Sequence, residues 1–172
     1  MGEDYSGGVD FRGLERRALE LLPPRNEAGS GLQLICELLR DEVPRYDWVG
    51  FYFAVPRQHL LVLGPFAGTP TEHVRIPYGR GICGQAAESL GTVVVPDVSA
   101  AENYLSCSLE TKAEIVVPVF LHDTFIAEID IDSHTAGPFG PEDEAFLSRL
   151  ARAVAPHLPA VFHPSEHEGG SS

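Results

Sequence analysis

The stretch FIAEIDIDS, residues 125–133, decides the fold, because acidic and apolar residues alternate along it. In an extended strand, successive side chains point to opposite faces of the sheet. Glu128, Asp130 and Asp132 therefore share one face, whereas apolar side chains occupy the other. At about 3.3 Å of rise per residue, Asp130 and Asp132 lie about 6 to 7 Å apart, close enough to hold one ammonium group between them.

This acidic face has two interpretations. The preceding stretch EIVVPVF, residues 114–120, is apolar after Glu114, which favours a sheet core and hence an acidic pocket. The alternative is an exposed antiparallel strand whose polar face meets water, an arrangement that needs no function. Spacing favours the pocket and does not exclude the exposed strand.

Helices are predicted at both ends of the chain. Apolar residues at helical spacing predict one helix from Leu14 to Leu22 and a second from Leu32 to Leu39, separated by PPRNEAGSG, residues 23–31. A proline and acids followed by an apolar stripe predict a closing helix within residues 137–158.

Strands are predicted between these helices. WVGFYFAV (48–55) and LLVLGPF (60–66) form a predicted hairpin around PRQH, and TVVVPDV (92–98) is a third strand. EIVVPVF and FIAEIDID follow, joined by a turn around His122 and Asp123.

The predicted fold is α+β, with a mostly antiparallel five- or six-stranded sheet. The N- and C-terminal helices pack on one face of this sheet, and the other face is left for loops and a ligand. We expect one folded domain at residues 12–160, a flexible N-terminus at 1–11 and a disordered tail at 161–172.

Composition limits the partners. The chain has 172 residues, with 12 basic against 25 acidic ones, and its net charge of -13 repels nucleic acid and anionic membranes. No apolar run approaches the roughly 20 residues that span a bilayer, and the acidic N-terminus is unlike a signal peptide. We therefore expect a cytoplasmic protein with neither a nucleic-acid nor a membrane partner.

The three cysteines must be interpreted singly, because their number is odd and no CxxC pair occurs. Cys36 lies beside the apolar stripe of the second helix, which is typical of a core residue. Cys83, in the glycine-rich RIPYGRGICGQAA (75–87), precedes an alanine-rich helix start that would favour its thiolate, although simple packing is the alternative. The glycine pattern there is too incomplete to predict a nucleotide site.

Cys107 lies in AAENYLSCSLETKAE, residues 100–114, which is predicted to be a loop over the sheet. A cysteine in such a loop is seldom needed for packing, so we interpret it as a reactive thiol. Trp48 and Tyr52 offer apolar walls nearby, or they simply pack under the loops. A thiol beside several carboxylates indicates redox chemistry on a small cationic substrate.

The order of YDWVGFYF, LGPFAG, RIPYGRGICGQAA, VPDV, the Cys107 to EIVVP stretch and DIDS resembles the free methionine-(R)-sulfoxide reductases, a family of GAF-domain enzymes. The resemblance covers about residues 12–158. It implies a GAF fold, reduction of free L-methionine (R)-S-oxide in oxidative stress defence, a thioredoxin-type reductant and no cofactor. By analogy with GAF domains, a homodimer through the terminal helices is also expected.

The resemblance also implies residue roles. Cys107 matches the nucleophile and Cys83 the cysteine of the GxCG motif, and Cys83 is our candidate for resolving the oxidised nucleophile. Trp48 matches an aromatic residue that contacts the substrate, and Glu114, Asp130 and Asp132 match pocket acids. We place Tyr52 beside Trp48 in the substrate-binding set. Either Asp130 or Asp132 can supply a proton, and we assign Asp132 to the catalytic set.

One position departs from the family pattern. His73 stands ten positions before Cys83, where the family usually has a further cysteine. That cysteine can resolve the oxidised nucleophile, so Cys83 or an external thiol would take over here. Two alternatives remain, a GAF sensor that binds a small ligand without turnover and a relative that has lost activity through His73.

Overall fold

The computed structural model describes residues 8–22, 29–101 and 110–160. The helices in these ranges are α1 (Phe11–Leu21), α2 (Gly29–Glu42), α3 (Gly81–Ser89) and α4 (Pro141–Val154). The strands are β1 (Trp48–Val55), β2 (Leu60–Ala67), β3 (Arg75–Pro77), β4 (Val93–Val95), β5 (Ala113–Leu121) and β6 (Thr124–Ser133). Short 3-10 turns occupy Pro56–Gln58, Val98–Ala100 and Ala155–Ala160.

The strands form one six-stranded sheet in the order β3-β2-β1-β6-β5-β4, and every neighbouring pair is antiparallel. The turn between β5 and β6 places His122 and Asp123 at φ of 48° and 65°. Two consecutive positive φ angles match the right-handed twist of a tight hairpin. The predicted α+β fold, its antiparallel sheet and this turn are confirmed.

The terminal helices cover one face of the sheet, as predicted. Buried residues of the strands, including Val117, Ile129 and Ile131, form a single core with residues of α1, α2 and α4. The rings of Phe11 and Phe146 stack with 4.8 Å between their centroids and join α1 to α4. The first and last helices therefore pack together, which leaves the opposite face of the sheet to other residues.

A buried carboxylate fixes the start of α4. Asp143 is 2% exposed, and its Oδ1 accepts hydrogen bonds from the Tyr46 hydroxyl at 2.7 Å and from Arg45 Nη2 at 2.7 Å. Its Oδ2 accepts from the backbone N–H of Gly140 at 2.9 Å. Each oxygen of this carboxylate therefore has a donor.

Helix α3 covers part of the opposite face. It packs on β5 and β6, and its residues Ile82, Cys83 and Ala86 join a second buried cluster with Trp48 and Tyr52. This is the face that carries Glu128, Asp130 and Asp132, each 0% exposed. The exposed-strand interpretation of the acidic face is therefore wrong, and the acids are buried.

Three details differ from the sequence prediction. Strand β3 was not predicted, because three residues that include a proline give no periodicity. The predicted strand at 92–98 is shorter, ending at Val95, since Pro96 has no N–H for a ladder. Helix α2 begins at Gly29, inside the segment predicted to separate the helices.

Among the described helices, none has both the length and the apolar character that crossing a bilayer requires.

Candidate active site

The candidate site lies on the three central strands. In the ladder between β1 and β6, Trp48 is opposite Asp132, Gly50 opposite Asp130 and Tyr52 opposite Glu128. Glu114 of β5 is opposite Asp132 on the other side. Because paired residues share a face, the four acids and the two aromatic side chains lie on one surface of the sheet.

Cys83 reaches this surface from α3. It is the third residue of the helix and 4% exposed, and its thiol donates to Glu114 Oε1 at 3.7 Å. Its sulfur and one oxygen each of Glu114 and Asp130 lie within 4.8 Å of one another. The structure thus places Cys83 at a helix N-terminus, as predicted, with two carboxyls beside it.

The tight turn before α3 depends on Gly84. A Cβ at this position would lie 2.7 Å from the carbonyl oxygen of Pro77 and 3.0 Å from the nitrogen of Gly79. Only glycine allows the first turn of the helix to approach the preceding loop so closely. Gly84 therefore serves this close packing, which sets Cys83 over the acids.

A small cavity opens beside Cys83. Glu114, Asp130 and Cys83 lie together in its lining, which also includes Arg80 and His73. The remaining lining residues are Tyr52, Ile76, Gly81 and Ile82. The cavity therefore combines an acidic side, an apolar wall and the N-terminus of α3, which suits a small zwitterion. Arg80 was not predicted, because no sequence pattern connects it with the acids.

Burial changes the titration of the acids. Burial raises the pKa of Glu114 well above its ordinary value, and the charges of Asp130 and Asp132 raise it further. Burial also raises the pKa of Glu128, and Asp130 adds to this effect. The pKa of Asp130 is raised by burial, although hydrogen bonding with Glu114 and Cys83 lowers it in part. Each shift favours the neutral carboxyl.

Proton sharing follows from this arrangement. Among the described residues, no partner meets strict hydrogen-bond geometry at the oxygens of Glu128 or Asp130, although the Cys83 thiol lies near enough to lower the pKa of both in part. The Glu114–Asp130 contact becomes a hydrogen bond once one of the two is protonated, and burial favours that state. The pair can thus present a proton donor next to an acceptor.

The polar atoms of Trp48 and Tyr52 are hydrogen-bonded to backbone carbonyls, so these residues contribute their rings to the site. Trp48 Nε1 donates to the carbonyl of Thr69 at 3.0 Å, and its ring stacks on Phe66 at 5.5 Å. The Tyr52 hydroxyl donates to the carbonyl of His73 at 2.8 Å. Because these contacts hold both rings in place, the two residues form fixed apolar walls beside the acids.

Gly50 is a site residue that sequence reasoning missed. It lies between Trp48 and Tyr52 on β1 and opposite Asp130, and a Cβ there would lie 2.3 Å from Trp48 Cη2. The absent side chain is what allows the indole to fold back over the strand. Nothing in the local sequence distinguishes this role from an ordinary glycine in a strand.

We expect Gly50→Ala to displace the Trp48 indole and shift its fluorescence emission to longer wavelength, because the ring would move towards water. Trp48 is the single tryptophan of the chain, so its emission reports this site alone. Gly64→Ala is the matched control, since its Cβ would instead meet the Phe53 ring at 2.2 Å. An unchanged emission spectrum in Gly50→Ala would contradict the packing described here.

The other two cysteines of the chain are Cys36 and Cys107. Cys36 is 0% exposed in the helix-side core, and burial, with the charge of Glu37, raises the pKa of its thiol. The prediction that it is a core residue is confirmed. Cys107, the predicted nucleophile, lies in the segment 102–109, outside the described residues.

Comparison with known proteins agrees with this architecture. Residues 29–158 match the family model described as GAF domain. The chain belongs to the GAF domain family. This GAF domain is 37% identical over 113 residues to the free methionine-R-sulfoxide reductase of Escherichia coli K12, a match that covers 66% of this chain and 67% of the relative.

Two solved structures are also similar. The free methionine-R-sulfoxide reductase of Neisseria meningitidis, in complex with its substrate, gives a TM-score of 0.81 at 34% identity, covering 87% of this chain and 89% of the other. The type II free methionine-R-sulfoxide reductase of Thermoplasma acidophilum gives a TM-score of 0.73 at 39% identity, covering 87% of this chain and 97% of the other. The resemblance predicted from the sequence is confirmed.

Proposed function

We propose that this GAF domain reduces the R-sulfoxide of free L-methionine to methionine. The observation that carries the proposal is the buried acid cluster around Cys83, which shares one sheet face with Trp48 and Tyr52. The similar reductases from Escherichia coli and Neisseria meningitidis support the choice of substrate. Glu114, Asp130 and Asp132 would bind the substrate ammonium, and the two aromatic rings would enclose its side chain.

The substrate carboxylate would lie beside the first turn of α3. Gly81, Ile82 and Cys83 form the first turn of α3, and all three line the cavity. The positive end of the helix dipole favours an anion there. Arg80, next in the chain and also in the lining, would add a positive charge. A free amino acid would thus be held at both charged groups.

The proposed chemistry begins with Cys107. Its thiolate attacks the sulfoxide sulfur, and a neutral carboxyl, Asp130 or Asp132, protonates the sulfoxide oxygen. The net step transfers that oxygen to Cys107. Methionine sulfur is thereby reduced by two electrons, and the thiol is oxidised to a sulfenic acid.

A second thiol completes the cycle. It attacks the sulfenic sulfur, forms a disulfide and releases water, after which a thioredoxin-type dithiol reduces the disulfide. Cys83 is our candidate for this second thiol. His73 lines the same cavity and cannot form a disulfide, so the proposed cycle has one internal resolving cysteine or uses an external thiol directly.

Substrate preference tests the proposal. With dithiothreitol as reductant, we expect kcat/KM for free L-methionine (R)-S-oxide to exceed that for a peptide-bound R-sulfoxide by about 100-fold. A peptide lacks the ammonium, and losing one hydrogen-bonded charge contact in a buried site costs about 1.5 to 3 kcal/mol. Methionine formation is followed by chromatography, with free S-sulfoxide as the stereochemical control.

Two results would contradict the proposal. Equal rates on free and peptide-bound sulfoxide would show that the acids do not recognise the substrate ammonium. Tight binding of the free sulfoxide without methionine formation would instead favour the ligand-sensing alternative.

A further inference from the structure

The side chains around Cys83 have the composition of a zinc site. Its sulfur and one oxygen each of Glu114 and Asp130 lie within 4.8 Å of one another, and all three residues are buried. In a tetrahedral zinc site, sulfur and oxygen ligands lie about 2.0 to 2.3 Å from the metal. Drawing the three atoms together around an ion therefore requires movements of only about 1 Å.

A second observation points to a cation here. Asp130 is 0% exposed and lines the cavity, and among the described residues no partner meets strict hydrogen-bond geometry at either of its oxygens, with only the acidic Cys83 and Glu114 near enough to affect its pKa. Glu114 and Cys83, its neighbours, are themselves acidic groups. A buried carboxyl surrounded by acids is costly unless a proton or a cation compensates it.

The geometry points to a Zn²⁺ site formed by Cys83, Glu114 and Asp130, with its fourth position open to the cavity. A thiolate with two carboxylates suits zinc, whereas Mg²⁺ and Ca²⁺ prefer oxygen ligands alone and a larger coordination number. Binding displaces the thiol proton and forms a Zn–S bond, with no oxidation or reduction. Three protein ligands and one open position are the usual arrangement of an accessible zinc centre.

Bound zinc would have two consequences, which rest on the function proposed above. It would occupy the groups that bind the substrate ammonium, so the reductase would be inactive until a chelator removed the ion. It would also protect the Cys83 thiol from oxidation, because the coordinated sulfur is no longer free to react. The cavity would then exchange between a substrate-binding state and a zinc-protected state.

The test measures zinc directly. In the full chain carrying Cys107→Ser, which removes the thiol outside the described residues, Zn²⁺ is titrated against a chromophoric chelator with a phosphine reductant present. We expect one zinc per chain, and both Cys83→Ser and Asp130→Asn are expected to weaken its affinity by at least about 10-fold. Cys36→Ala and Glu20→Gln, which change a core thiol and an exposed acid, should leave affinity unchanged.

The readout is independent of turnover. Circular dichroism establishes that each variant is folded, and Glu114→Gln is a third ligand variant if Cys83→Ser unfolds. Absence of zinc binding, or an affinity that survives the loss of Cys83 and Asp130, would overturn the site. Failure of the enzyme assay alone would contradict the proposed function and leave this result intact.

Discussion

Cys107→Ser is expected to lower the rate of methionine formation from free L-methionine (R)-S-oxide by about 10³-fold or more at saturating dithiothreitol. The nucleophile accepts the oxygen, and loss of such a group removes a step that no other part of the enzyme replaces. Dithiothreitol replaces only the later thiol steps. The measurement is a steady-state assay of methionine under conditions that saturate both substrate and reductant.

The Cys83→Ser variant distinguishes attack on the sulfoxide from resolution of the oxidised nucleophile. With dithiothreitol as the only reductant, we expect this variant to keep its rate within about 10-fold of the wild type, because an external dithiol can attack the sulfenic acid directly. With a thioredoxin-type reductant it should be slower, if Cys83 forms the disulfide that such a reductant recognises. Cys36→Ala is the matched control, because Cys36 is buried in the core on the opposite face of the sheet.

The opposite pattern would reassign the roles. Turnover that survives Cys107→Ser and is lost in Cys83→Ser would make Cys83 the nucleophile, attacking from the N-terminus of α3. Mass spectrometry of the wild-type protein after one turnover without reductant gives an independent check. We expect a disulfide between Cys107 and Cys83, and a stable sulfenic acid at Cys107 would favour resolution by an external thiol.

The sequence predicted the acid face because its signal is local. Alternation along FIAEIDIDS placed Glu128, Asp130 and Asp132 on one side of a strand, and the adjacent β5 brought Glu114 to the same side. Burial of these acids was not decided by that pattern. It depends on α3 packing over the sheet, which joins Cys83 to Glu114 across 31 positions of sequence.

Residues that act through packing were missed for a physical reason. Gly50 matters because the Trp48 ring lies over it, and Arg80 matters because the first turn of α3 places it at the cavity. Neither contact has a periodicity or a motif, since both depend on how separate elements meet. Strand β3 was missed because three residues pair only where β2 offers an edge.

Glu114→Gln is expected to lower kcat/KM for free methionine sulfoxide by about 100-fold and to stabilise the fold at neutral pH. Activity falls because a bound ammonium favours the ionised Glu114 carboxylate, and the amide cannot supply that charge. Stability rises because the ionised state of Glu114 is disfavoured by burial and by Asp130 and Asp132, and a neutral amide avoids that cost. Each unit by which the folded-state pKa exceeds the unfolded one costs about 1.4 kcal/mol of stability at a pH above both values.

The pH dependence distinguishes this explanation from a general packing effect. Because the pKa of Glu114 is raised in the folded protein, the folded state keeps a proton that the unfolded chain releases above about pH 4.3. The folded state therefore binds more protons in that window, and its free energy of unfolding decreases as pH rises towards the raised pKa. Below about pH 4.3 both states are protonated, and the stabilising difference between Glu114→Gln and wild type should vanish.

Urea unfolding of wild type and Glu114→Gln between pH 4 and pH 8 measures this difference, and Glu20→Gln, an exposed acid on α1, is the control. We expect the stability gain to grow with pH for Glu114→Gln alone. A gain independent of pH would mean that better packing, not charge, explains it.

A loss of stability with retained activity would show that Glu114 supports the fold and leaves ammonium binding to Asp130 and Asp132. Gained stability together with lost activity is expected of a site whose buried acids lower the stability of the fold but bind a cationic substrate.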